Sequence, residues 1–140
     1  LLIFSNVIGT SYRTTRVIVS EDGGSNFASS GYAAYRKIDL LDLGTSSSTA
    51  TTSSTSSIYL ELSTSMSGQV VINNDDDLFS IRGEFIANES ALPSIFLHRT
   101  QSGGRILTSS SRVNTIRFYR DSSNNFVSGT IRLYGYKEAL

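Results

Sequence analysis

The chain has no cysteine and a single histidine, His98. The first absence removes disulfides and thiolate-held zinc as props for the fold; the second removes the usual multi-histidine metal cage. There is no excess of either charge: twelve lysines and arginines stand against twelve aspartates and glutamates, and the formal net charge is zero. Without a net field nothing draws the protein to nucleic acid or to an acidic membrane. No apolar run is long enough to span a bilayer. The opening Leu1-Leu-Ile-Phe is too short for a secretion-signal core and carries no basic leader. Because the chain opens on leucine, a trimmed or processed product with further N-terminal chain is expected. Amphipathic helical periodicity is missing too, which leaves β structure as the way to bury the 39% of residues that are hydrophobic.

What the sequence holds instead is alternation. Thr14 to Ser20 has β-branched residues at nearly every position, which suits a pleated surface and penalises a helix. Ser57 to Ser63 predicts a strand with Ile58, Leu60 and Leu62 inward and Tyr59 and Glu61 outward. In Leu78 to Ile86, Phe79, Ile81 and Phe85 face in while Arg82 and Glu84 face out. Further strands are expected at Leu1 to Ile8, Gly31 to Ile38, Gly68 to Asn73, Ser94 to Thr100 and Arg105 to Thr108. Turns are expected at Gly9 to Ser11, Glu21 to Asn26, Asn73 to Asp77, Asn88 to Pro93 and Ser102 to Gly104, and a short helical turn is compatible with Asp39 to Leu43. The resulting expectation is one all-β domain over residues 1–140, an antiparallel, jelly-roll-like β-sandwich of about eight strands. Thr45 to Ser57 contains only serine and threonine apart from Ala50, and is read as a surface loop; an extended strand paired to a neighbouring subunit, or a ladder of hydroxyls against a glycan, is the alternative.

The closing stretch alternates in two arms, Val113 to Arg120 and Val127 to Tyr136, around the polar Asp121 to Phe126. That pattern predicts a hairpin with Ile116 opposite Ile131 and with Asn114, Ile116, Phe118, Val127, Gly129, Ile131 and Leu133 on the buried side. Arg117, Tyr119, Arg132 and Tyr134 then share the outward face.

Two elements carry a resemblance. Val17 to Phe27 with Ser30-Gly-Tyr just after it is similar to an "SxDGGSxF…SGY" element, and Val113 to Phe118 with Phe126 to Lys137 is similar to a closing "I…F.SGxIxLYGxK" element. Both resemble small all-β C-terminal modules of tailed-bacteriophage virion surface proteins, in tail fibres, spikes and head surfaces. The pattern departs at Glu21, between the serine and the aspartate, and at Tyr136, where an aliphatic residue is more usual. The resemblance implies a virion-exterior module that is multimeric, with a trimer favoured, and that contacts other virion proteins and a host-surface glycan or protein. It brings no catalytic residues, no cofactor, no nucleic acid and no membrane insertion.

Chemistry-bearing residues are sparse. Asp75, Asp76 and Asp77 with Asn73 and Asn74 offer oxygens for calcium but lack the spacing of the twelve-residue calcium loop, so a solvated turn is expected. Asp22 beside Gly23 and Gly24 is read in the same way. His98 lies in no nucleophile motif. Glu61 and Glu84 on outward strand faces are candidates for a glycosidase pair, with no apolar setting to raise either pKa. The exposed aromatics expected are Tyr32, Tyr35, Tyr59, Tyr119, Tyr134 and Tyr136, and tyrosine serves both sugar stacking and subunit contact. The predicted contact residues are Arg117, Tyr119, Arg132, Tyr134, Tyr136 and Tyr59. A non-enzymatic attachment module of a tail fibre or spike is the expected function, with a capsid decoration protein or a free carbohydrate-binding module as alternatives.

Overall fold

The computed structural model describes residues 1–40, 46–75, 78–89, 96–106, 112–121 and 125–135, and leaves out the side chains at 12, 40, 46–54, 62, 75, 89 and 96–98. Eight strands run through these residues: β1 (Leu2–Ser20), β2 (Tyr32–Leu40), β3 (Ser46–Thr55), β4 (Ile58–Asp75), β5 (Leu78–Glu89), β6 (Phe96–Ile106), β7 (Thr115–Arg120) and β8 (Phe126–Leu133). None of the described residues is helical. The strands form one antiparallel sheet in the order β3-β2-β6-β5-β4-β1-β7, with β8 also paired to β1. The all-β antiparallel class expected from the alternation is the class observed.

The sheet folds over itself at β1 and β4. Thirteen positions separate Phe4 from Val17, about 43 Å of extended strand. Yet Phe118, the cross-strand partner of Val17, has its ring centroid 5.4 Å from that of Phe4. The bend lies where the β1–β4 register shifts, between Phe4 and Val7 and between Ile8 and Arg13. Such irregularities leave extra residues on one strand and raise local twist. One layer therefore holds β7, the second half of β1 and the first half of β4; the other holds β8, the first half of β1, the rest of β4, and β5, β6, β2 and β3.

Apolar side chains of the two layers meet between them. Val17, Val19, Ile58 and Leu60 come from the first layer, and Phe4, Val70, Ile81, Phe85 and Tyr32 from the second. Each buried phenylalanine stabilises the fold by roughly 2–3 kcal/mol relative to exposure. Gly68 stands between Phe4 and Phe85 in one cross-strand row, and without a side chain there the two rings meet edge to face at 5.5 Å. Tyr32, expected outside, is buried: its hydroxyl accepts from the Val19 amide at 3.0 Å and donates to the Ala28 carbonyl at 3.1 Å, tying β2 to the opposite layer.

Several boundaries differ from the expectation. The Gly9 to Ser11 turn lies inside β1, where the strand bends instead of ending. The strands expected at Ser57 to Ser63 and Gly68 to Asn73 are parts of one strand, β4, which begins at Ile58, and the glycines expected to turn at 103 and 104 lie inside β6. Ser46 to Thr55 of the serine and threonine tract is edge strand β3 and not a loop; a backbone ladder to β2 requires no apolar side chain, and threonine favours the extended conformation. Asp39 continues β2, while 41–43 of the expected helical turn lie outside the described residues.

The largest difference is at the closing stretch. β7 and β8 pair with β1, β7 along Thr15 to Ser20 and β8 along Leu2 to Gly9, so they follow one another down a single edge. Asp121 and Asn125 both meet β1 near the corner at which it bends: the Asp121 amide donates to the Thr14 carbonyl at 3.1 Å, and the Thr10 amide donates to the Asn125 carbonyl at 3.2 Å. Alternation identified both strands, but a long bare edge on β1 took both of them. Val127, Ile131 and Leu133, expected inside, are 63%, 40% and 72% exposed, and Asn114 is exposed as well.

The corner is filled by polar groups. Glu61, Thr15 and Arg120 form one cross-strand row and all three are buried. The Arg120 guanidinium donates to the carbonyls of Ser11 (2.7 Å), Arg13 (3.1 Å) and Ser63 where the ladder is interrupted. Glu61 was expected to face out. A bulge at Leu60, with Thr15 opposite Glu61 but Arg16 opposite Tyr59, turns both Leu60 and Glu61 inward.

Candidate functional site

The predicted contact residues separate into two groups. Tyr59 and Tyr119 flank Arg16 on the outer side of the first layer, since Arg16 pairs with both. The Arg16 guanidinium lies 4.5 Å from the Tyr59 ring centroid, donates to Ser57 Oγ at 3.1 Å and to Asp121 Oδ2 at 2.8 Å, and is half-buried. This network ties β1, β4 and the end of β7 together on the layer's outer face. Arg117, opposite Ile18, lies 5.6 Å from the Phe27 ring centroid on that face. Arg132 sits opposite Ile3, fifteen positions along β1 from Ile18, and Tyr134 lies just beyond it, its amide donating to the Leu1 carbonyl at 2.7 Å. Arg117 and Tyr119 therefore do not share a patch with Arg132 and Tyr134. Tyr136 lies outside the described residues.

The glycine turn of the "SxDGGSxF" element is a structural knot. Asp22 Oδ1 accepts from Ser20 Oγ at 2.6 Å and from the Asn26 amide at 2.8 Å, and Oδ2 accepts from Asn26 Nδ2 at 2.7 Å. Asn114 holds the turn against β7 by accepting from the Gly23 amide at 2.9 Å and donating to the Glu21 carbonyl at 2.6 Å. The hydrogen bond from Ser20, then those from Asn26, hold the Asp22 carboxyl down to about 2, from an ordinary 3.8. A depressed carboxylate pKa contributes stability that is complete above the unfolded value and is lost as pH falls through the folded one. Thermal unfolding should therefore lose midpoint between pH 4 and pH 2, and Asp22→Asn should flatten that part of the profile; an unchanged slope would refute the assignment.

The Glu61 and Glu84 pair does not come together. Glu61 is inside the corner, while Glu84 is on the outer side of β5 in an ion pair with Arg99. The side chain of His98 and the acidic residues 76–77 lie outside the described residues. Among the described residues no group of three or more metal-ligating side chains occurs.

Two outward surfaces remain. The first is the edge at β8. Ile131 and Leu133 pair with Phe4 and Leu2 and so point to the core side, but the opposite layer does not extend over them. The sheet overhangs its own core there, with Val127 and Tyr134 exposed nearby. The second is an open groove of about 630 Å³ on the outer side of β2, β4, β5 and β6. Two cross-strand rows form it: Val71, Arg82, Gly103 and Tyr35, then Asn73, Ser80, Arg105 and Ala33. The outward direction of Arg82 was legible in the alternation; that β5 pairs with β6 and brings Arg82 beside Arg105 was not.

Comparison with protein-family models, curated proteins and solved structures finds no match to this chain.

Proposed function

We propose that this chain is a non-enzymatic structural module on the exterior of a tailed-phage particle, at the end of a tail fibre or spike, which multimerises and meets the host surface. Support comes from the two motif elements and, above all, from the β8 overhang. A strand that exposes Ile131 and Leu133 on its core side has an incomplete interior as a lone subunit. Copies gathered about a common axis complete it by packing these overhangs together, as the centre of an obligate interface resembles a domain core cut in two.

Light scattering coupled to gel filtration tests this directly. The native chain should elute with the mass of a multimer, three copies being expected, and Leu133→Lys should give monomers with an unchanged circular dichroism spectrum. A native chain that stays monomeric at high concentration would remove the support. Labelling of intact particles with an antibody to the chain should mark fibre or spike ends; label over the head would favour the decoration role.

A further inference from the structure

We infer that the groove on the outer face of β2, β4, β5 and β6 is a binding site for an acidic saccharide, which deepens the host-contact role proposed above and rests on it. The floor is apolar, made by Ala33, Val71 and the ring of Tyr35. Tyr35 lies over Gly103, its Cε1 2.9 Å from the point a Cβ of that glycine would occupy, and remains 38% exposed. A side chain at 103 would displace the ring, so the glycine keeps an aromatic platform on the sheet.

Charge decides the ligand class. Arg82 is opposite Gly103 and Arg105 opposite Ser80, which makes the two arginines diagonal neighbours on one face. Like charges in cross-strand proximity cost stability unless something offsets them. Both are exposed, and neither has an acidic partner among the described residues, whereas Glu84, on the same face, is paired with Arg99. The arrangement fits one carboxylate held between two guanidinium groups. The Asn73 amide and Ser80 hydroxyl add polar groups in the second row.

A ligand with an apolar ring face, several hydroxyls and one anion satisfies all of these together. A sugar ring packs its C–H face on tyrosine, offers hydroxyls to Asn73 and Ser80, and carries a carboxylate when it is a uronic or sialic acid. Nucleic acid fits less well, because a polyphosphate needs a basic stripe and this chain has zero net charge.

The test uses the full chain, isotope-labelled, with amide spectra recorded during titration with methyl glucuronide and with the methyl glycoside of N-acetylneuraminic acid. At least one should shift the resonances of Ala33, Tyr35, Arg82 and Arg105, and its carboxyl-reduced counterpart should bind at least about tenfold more weakly, as expected for loss of charge-assisted hydrogen bonds. Arg82→Ala, Arg105→Ala and Tyr35→Ala should each weaken binding by about tenfold or more; all three side chains are exposed, and unchanged thermal unfolding would show that the fold is kept. Equal binding of the neutral sugar, unaltered binding by the arginine variants, binding of neither acid, or equal shifts with inorganic phosphate or adenosine monophosphate would overturn the assignment. The β8 surface is separate from the groove, so an intact multimer without sugar binding refutes only the saccharide site, and sugar binding by a monomer refutes only the assembly.

Discussion

Replacing Arg120 by methionine should lower the unfolding free energy by about 3–5 kcal/mol, the range seen when one member of a buried charged pair is removed. Arg120 is 3% exposed, and burial pushes its pKa down while the nearby Glu61 carboxylate opposes that shift. Its guanidinium also supplies donors to three carbonyls at the bend of β1 and β4. Methionine keeps much of the volume and removes the charge and every donor. Glu61 then loses the nearby guanidinium charge inside the protein, and the carbonyls of Ser11, Arg13 and Ser63 lose these hydrogen bonds. The double variant Arg120→Met, Glu61→Leu should recover a large share of the loss, because the buried carboxylate that faced the guanidinium is gone as well. Urea denaturation of the two variants and the native chain checks both statements; a loss under about 1 kcal/mol in the single variant would mean that the row contributes little.

Gly129→Ala should detach β8 while leaving the rest of the sheet in place. Gly129 has φ +112°, a conformation L-residues rarely adopt, and a Cβ there would lie 2.5 Å from Val7 Cα and 2.6 Å from the Asn6 carbonyl oxygen. These obstacles are backbone and do not rotate away. Backbone strain of this kind costs roughly 1–3 kcal/mol before the clash is counted. β8 is an edge strand with little buried area, so its pairing yields before the core does. Amide exchange along Phe126 to Leu133 should accelerate by about a hundredfold, each tenfold step being near 1.4 kcal/mol, while the amides of Val70, Ile81 and Phe85 stay protected. Retention of native protection in β8 would show that the backbone relaxes around the new methyl group. If β8 is the subunit contact, the same variant should also lose the multimer.

Much of the architecture follows from local patterns. The β-branched run at Thr14 to Ser20 identifies a strand, and the alternation of Phe79, Ile81 and Phe85 against Arg82 and Glu84 identifies a strand and its faces, with which burial agrees. Period-two patterning says that a segment is a strand and does not say which strand it joins. The arms at Val113 to Arg120 and Val127 to Tyr136 have every local mark of a hairpin. They nevertheless pair with β1 because nineteen residues of β1 offer an edge long enough for both. Bulges are the other blind spot: one extra residue at Leu60 moves Glu61 from solvent to the interior, and no residue type at that point announces it. For the candidate surfaces, Arg117, Tyr119, Arg132 and Tyr134 were selected from a face the hairpin would have created, so they separate into two pairs when β7 and β8 lie end to end. Tyr35, Arg82 and Arg105 sit in three different strands, and only the pairing of β2 with β6 and of β6 with β5 brings them together.

The shared edge of β1 also sets an order of events during synthesis. Residues 2–20 leave the ribosome ahead of residues 115–133, and their far side waits for these, which emerge about a hundred positions later. Until then the nascent chain carries a bare apolar strand that another such chain on the same message can capture. Pairings between segments so distant in sequence form slowly, and the interval is one in which intermolecular pairing competes. If copies assemble through β8 as proposed, the emergence of residues 115–133 is the point at which correct pairing and aggregation part.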